Sequence, residues 1–218
     1  MMYIAYQGTT TKILLFIKIY KNKGDNAMLK EMLPIGMSNR HIHLSKEHLE
    51  VLFGEGYNLI KMKDLSQPGQ YAAEEKVDVV GIKGTLKGVR ILGPTRAETQ
   101  VEISLTDSFV LGVNPPVRDS GDLSDSPGAK IAGPKGEITI DKGIIVAARH
   151  IHMHTSDAEN FGVVDKEIVS VKIEGKRGLI FDNVLIRVHK DYALEMHVDI
   201  DEGNAASLKN GLMVRLLK

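Results

Sequence analysis

Arg-His-Ile-His is written twice in this chain, within NRHIHLS (residues 39–45) and within ARHIHMHTS (residues 148–156). Five of the 8 histidines lie in these two stretches. Side chains alternate faces along a strand, so His41 and His43 share a face, as do His150 and His152. The intervening Ile42 and Ile151 point the other way, which suits burial in a β-wall. Two imidazoles on one strand face can clamp a cation, and a third ligand must come from elsewhere.

A second correspondence supplies it. VRILGPTRAETQVEISLTD aligns without gaps on VLIRVHKDYALEMHVDIDE, setting Val89 against Val184, Ile91 against Ile186 and Glu102 against His197. Glu102 and His197 are each flanked by apolar residues and project opposite to them. Two trios are therefore predicted: His41, His43 and Glu102, and His150, His152 and His197. Three protein ligands with an open position mark a catalytic rather than a structural zinc site. Nitrogen and oxygen donors also admit cobalt, manganese or iron. His154 is read as a bystander because the first copy carries Ser45 there, and His48 and His189 as surface residues. Arg96, in the turn GPTRAE, suits a bidentate grip on phosphate. Its alignment partner is Asp191, as expected if one cavity needs one anion clamp. Arg40 and Arg149 face away from the histidines and are expected to brace structure.

The elements that must carry these residues are mostly strands. Residues 77–84, 85–93 and 99–107, then 167–175, 179–189 and 193–201, are short, rich in β-branched residues and bounded by turn formers. Short helices are expected at SKEHLEVLFGEG, with Leu49, Leu52 and Phe53 on one face, and at SDAENFG, with Ser156 and Glu159 as a capping box and Gly162 at its end. The pattern predicts an all-β fold with short helices, barrels or sandwiches built from two duplicated β units. The expected boundaries are an N-terminal extension over 1–30, a first half over 31–120, a connection over 121–140 and a second half over 141–218. Exchange of strands between the two halves is compatible with this division. The Pro-, Gly- and Ser-rich stretch 112–137 reads as irregular backbone, either a linker or a ligand-binding loop.

Composition narrows the class. Lys plus Arg equals Asp plus Glu at 28 each, so no global field favours nucleic acid or an anionic membrane. With no cysteine there is no disulfide, no thiolate metal ligand and no thiol nucleophile, which fits a reducing cytoplasm. KILLFIKIYK (residues 12–21) is too short to span a bilayer and has no signal-peptide cleavage site. It reads as an extension outside the core or as a peptide that docks a partner or shell. No phosphate-binding glycine loop, dinucleotide fingerprint or serine nucleophile elbow is present.

Together SNRHIHLS, GPTRAETQVEIS, PPVRDSGDLSDSPG and AARHIHMH resemble the PduL-type phosphate acyltransferases, the phosphate propanoyltransferases. The resemblance runs from about Leu33 to the C-terminus. It implies a cytoplasmic or microcompartment-lumen transferase that interconverts propanoyl- or acetyl-CoA plus phosphate with acyl phosphate plus CoA. Two zinc ions would sit in the crevice between two barrels, on the two trios named above. The resemblance further implies phosphate binding by Arg96, CoA contacts by Ser38 and Ser120, a homodimer, and microcompartment shell or lumen proteins as further partners. The ligand chemistry alone leaves two other readings open: a two-metal hydrolase with a bridging hydroxide, and a non-catalytic module stapled by metal.

Overall fold

A computed structural model describes residues 31–218. The apolar peptide at residues 12–21 and the extension expected over 1–30 lie outside the described residues. The first half runs β1 (Met32–Ser38), β2 (His41–His43), α1 (Lys46–Phe53), β3 (Lys61–Asp64), β4 (Tyr71–Val80), β5 (Thr85–Gly93), β6 (Gln100–Glu102) and α2 (Leu105–Leu111). Three short strands follow: β7 (Val117–Arg118), β8 (Ala129–Ala132) and β9 (Glu137–Ile140). The second half runs β10 (Ile144–Ala147), β11 (His150–Met153), α3 (Thr155–Phe161), β12 (Ile168–Ile173), β13 (Leu179–Val188), β14 (Glu195–Asp199), α4 (Ile200–Ala205) and β15 (Leu212–Leu217).

The fold is all-β with short helices, built as a double barrel. One barrel closes in the order β1-β14-β11-β13-β12-β15. The other is a curled nine-stranded sheet in the order β7-β10-β6-β2-β5-β4-β8-β9, with β3 paired on β4. Each wraps its own core. Ile151 and Ile186 are fully buried in the first, and Ile42 and Ile91 in the second. Burial of such side chains supplies the main driving force for closing the walls.

The two units exchange a strand. β1, from the first half, closes the barrel of the second half between β14 and β15, while β10, from the second half, lies between β6 and β7. The exchange is reciprocal in register: Gly36 pairs with His197 in the parallel β1–β14 ladder, and Ile145 pairs with Glu102 in the parallel β10–β6 ladder. Each exchanged strand leads directly into an Arg-His-Ile-His segment. The chain therefore crosses from one barrel to the other just before each histidine pair.

Several local expectations are corrected. The strand expected over 99–107 is three residues long, because Ser104 and Asp107 form a capping box that starts α2. The corresponding residues Asp199 and Glu202 start α4. Helix α3 is capped by His154 rather than Ser156: its Nδ1 accepts from Ser156 N at 3.1 Å, and Asp157 bonds back to its N–H at 3.2 Å. His154 thus occupies the capping position held by Ser45 in α1, where the Ser45 hydroxyl accepts from His48 N. Stretch 112–137 is not wholly irregular, since it contains β7 and β8. His48 is half-buried, with Nδ1 2.7 Å from Thr99 Oγ1, whereas His189 is exposed.

Arg40 and Arg149 brace the exchange. Arg40 reaches Asp107 of α2 at 2.7 Å, and Arg149 reaches Glu202 of α4 at 2.8 Å. Each ties a crossover to the capping box of the helix that follows the third-ligand strand. Arg40→Ala would strand the Asp107 carboxylate, whose side chain is 3% exposed. It should cost about 1–3 kcal/mol in urea unfolding. Arg149→Ala should cost less, because Glu202 keeps more solvent at 19% exposure.

Candidate metal centre

Antiparallel pairing sets the third ligands beside the histidines. His41 lies opposite Glu102 in the β2–β6 ladder, and His150 lies opposite His197 in the β11–β14 ladder. The parallel ladders match as well, with Ile42 opposite Ile91 and Ile151 opposite Ile186. The structure thus brings together both predicted trios. Within each, one ligand atom per residue lies within 4.8 Å of the others. His41, His43, Glu102, His150 and His152 are buried, and His197 is half-buried.

The first histidine of each pair is oriented in the same way. His41 Nδ1 donates to Asn39 O and His150 Nδ1 donates to Ala148 O, both at 2.8 Å. Each ring then presents Nε2 to the trio, as a backbone-anchored metal histidine does. His152 tests whether a cation fits. Both of its ring nitrogens are buried with no hydrogen-bond partner. Leaving such groups unpaired costs about 1–3 kcal/mol each, and a cation bound at one nitrogen would remove that cost. The donor sets, two imidazoles with a carboxylate in one trio and three imidazoles in the other, suit zinc or another borderline divalent metal.

Both trios open into one cavity of about 1060 Å³. Arg96 and Ser120 line it, and so does Ser38, whose Oγ lies 3.4 Å from His41 Nδ1. Arg96 Nη1 donates to Ser120 Oγ at 3.1 Å, and the Ser120 hydroxyl donates to Glu102 Oε1 at 2.7 Å. An anion-suited guanidinium is thereby tied through one hydroxyl to a trio residue.

The matching family model is described as phosphate propanoyltransferase and spans residues 34–209. This chain belongs to the phosphate propanoyltransferase family. It is 62% identical to a phosphate propanoyltransferase of Thermotoga maritima over 185 residues, covering 84% of this chain and 88% of the relative. It is 52% identical to one of Clostridioides difficile over 186 residues, covering 85% and 89%. A Listeria monocytogenes phosphate propanoyltransferase is 47% identical over 192 residues, covering 88% and 90%. Among the described residues of this family member, no helix is long and apolar enough to cross a membrane.

Three cavity residues of this propanoyltransferase-family chain, Arg187, Tyr192 and Glu195, and the buried Gln100 beside Glu102 carried no motif of their own. Gln100 donates to Glu102 Oε1 at 2.6 Å and to Ser120 Oγ at 2.9 Å. Glu195 Oε2 lies 2.7 Å from His197 Nε2. Tyr192 stacks on His152 at a centroid distance of 4.4 Å, and Arg187 lies over the Tyr192 ring at 6.0 Å. Strand periodicity was the available signal for Gln100 and Glu195: each lies two residues before a third ligand, on the same face.

Charge is unevenly shared between the trios. Burial alone would lower the His41 pKa, but the Glu102 carboxylate 3.4 Å away outweighs it and holds the pKa above its ordinary value. Burial would raise Glu102, yet His41 above all holds it well below the usual carboxylate range. Burial first, and then the neighbouring positive charges, push His43 down to about 3. The same causes push His150 down to about 4 and His152 to about 2. These three rings are neutral at pH 7 and ready to ligate.

Stability of the metal-free protein should follow from these shifts. Unfolded histidines take protons near 6.5, but the folded rings do so only near 4 or below. Their contribution is therefore complete above 6.5 and is lost as pH falls below it, by about 1.4 kcal/mol per pH unit for each ring. His41 adds no slope there, because its gain is already complete at 6.5 and below. Urea unfolding of chelator-treated protein should show this decline between about pH 6.5 and pH 5, and His152→Asn should reduce its slope by about one third.

Proposed function

We propose that the cavity transfers a short acyl group, propanoyl or acetyl, between the sulfur of CoA and an oxygen of phosphate, with one divalent ion, zinc by donor chemistry, on each trio. A bound ion would supply Lewis-acid polarisation of the acyl carbonyl or phosphate and would favour the thiolate form of the CoA sulfur. The chain contributes position and charge. Arg96 grips the phosphate group, and Ser120, bonded to both Arg96 and Glu102, holds that grip in register with the first trio. Ser38, at the crossover into His41, and Ser120 are assigned CoA contacts. Seating both reactants in one cavity makes attack on the acyl carbon effectively intramolecular. In the direction of thioester synthesis, sulfur bonds to the acyl carbon as the carbon–oxygen bond to phosphate breaks, and phosphate departs with that oxygen. No protein nucleophile is required, in keeping with the absence of cysteine.

The observation that carries this reading is the convergence of two open trios and a tethered Arg96 on one cavity, in a chain whose relatives are named phosphate propanoyltransferases. Mixing the protein with CoA and acetyl or propanoyl phosphate should raise the thioester absorbance, and a chelator should abolish the rise until divalent metal is restored. Phosphate release without CoA would instead indicate a hydrolase. No turnover by the metal-loaded protein would indicate a structural module.

Arg96→Ala should reduce kcat/KM by about 10²–10³, consistent with loss of a charge-stabilising donor. The loss should appear when acyl phosphate is varied and less so when CoA is varied. Arg96→Lys should restore only part of it, because a point charge cannot reproduce the bidentate fork.

A further inference from the structure

The two trios differ at their third ligand, carboxylate in one and imidazole in the other, and the residue two positions earlier differs in the complementary sense. Gln100 precedes Glu102 and Glu195 precedes His197. Gln100 lies opposite His43 and Glu195 opposite His152, so the two occupy equivalent ladder positions. In the first trio the Gln100 amide donates to the ligand carboxylate at 2.6 Å. In the second, the Glu195 carboxylate lies 2.7 Å from the ligand imidazole, at Nε2. Donor and acceptor have changed places, and each centre keeps one carboxylate.

Glu195 is held for this task by both halves. The Ser66 hydroxyl, from the loop between β3 and β4, donates to Glu195 Oε2. The next residue, Gln67, is 3% exposed and clamps the backbone of Ala193, with its Nε2 donating to Ala193 O at 2.9 Å and its Oε1 accepting from Ala193 N at 3.2 Å. Beneath the carboxyl group lies Gly36, where a Cβ would come within 3.0 Å of Glu195 Cδ and Oε1. The absent side chain leaves the room the carboxylate occupies.

We propose that Glu195 is the positioning residue of the second trio, accepting the Nε2–H of His197, turning Nδ1 toward the cation and furnishing the carboxylate that Glu102 furnishes by direct ligation in the first. An imidazole held this way has one tautomer, one ring orientation and higher basicity at the ligating nitrogen. This assignment rests on the reading that both trios hold a divalent ion.

Cobalt(II) tests it, because its visible absorbance reports ligand geometry and its release can be titrated with a chelator. The wild-type protein should retain two equivalents. Glu195→Ala should release one of them at a free-metal concentration about 10–100-fold higher than wild type does, with an altered spectrum for that ion. Glu195→Gln keeps an acceptor and loses the charge, so it should keep the wild-type spectrum with an intermediate loss of affinity. Glu195→Ala that binds both ions as wild type does would overturn the assignment. So would Glu195→Gln that equals wild type in affinity, or one that loses the ion as completely as Glu195→Ala, since the latter marks a direct ligand. Should Glu195→Ala fail to fold, the Glu195→Gln result decides alone. Wild-type protein that retains no cobalt would overturn the underlying metal reading, a result distinct from any variant-specific outcome.

Discussion

The reciprocal exchange of β1 and β10 is the constraint on which the rest of the structure depends. Each strand pairs in parallel with the third-ligand strand of the opposite unit, Gly36 beside His197 and Ile145 beside Glu102. The backbone then crosses through Asn39–Arg40 or Ala148–Arg149 and delivers a histidine pair to its own barrel. Asn39 O and Ala148 O, which orient His41 and His150, belong to these crossovers. Arg40 and Arg149 secure the same segments against α2 and α4. Ligand orientation, the proximity of the two trios and the joining of the barrels are thus settled by one backbone arrangement.

Within this near-symmetric frame the chemistry is asymmetric. Arg96 and Ser120 serve only the first trio, and the residue aligned with Arg96 is Asp191. The first trio carries a buried carboxylate paired with a raised His41, whereas the second holds two histidines pushed well below their ordinary values. Two centres of unequal charge, only one of them tied to Arg96 through Ser120, give the cavity a direction, as transfer between two unlike partners requires.

Much of the site was legible in the sequence because it obeys strand periodicity. Alternation placed His41 with His43 and His150 with His152, and the ungapped alignment of the later strands matched Glu102 to His197, which occupy equivalent ladder positions opposite His41 and His150. The exchange carried no comparable signature, because β1 and β10 are ordinary apolar strands whose composition does not say which barrel they join. Helices α2 and α4 were hidden for a local reason. Helix α4 follows its strand directly and α2 follows after only Ile103 and Ser104, and β-branched residues such as Ile103 and Val198 extend the strand pattern up to caps at Ser104 and Asp199. His154, a bystander in the sequence reading, caps α3, because a ring nitrogen can accept a backbone N–H much as the Ser45 hydroxyl does. Gln100, Glu195 and Tyr192 act through other side chains and acquire meaning only once those neighbours are placed.

The topology also bears on how the chain is made. The ladder partners of β1 are β14 and β15, residues 195–217 at the far end of the sequence. The first strand of the described region to leave the ribosome is therefore among the last to be paired. Until then Leu33 and Ile35, fully buried in the finished barrel, have no core to enter. Long-range pairing of this kind slows folding and prolongs exposure of apolar edges. The arrangement that joins two centres in one cavity thus also makes the nascent chain prone to association until its C-terminal strand is complete.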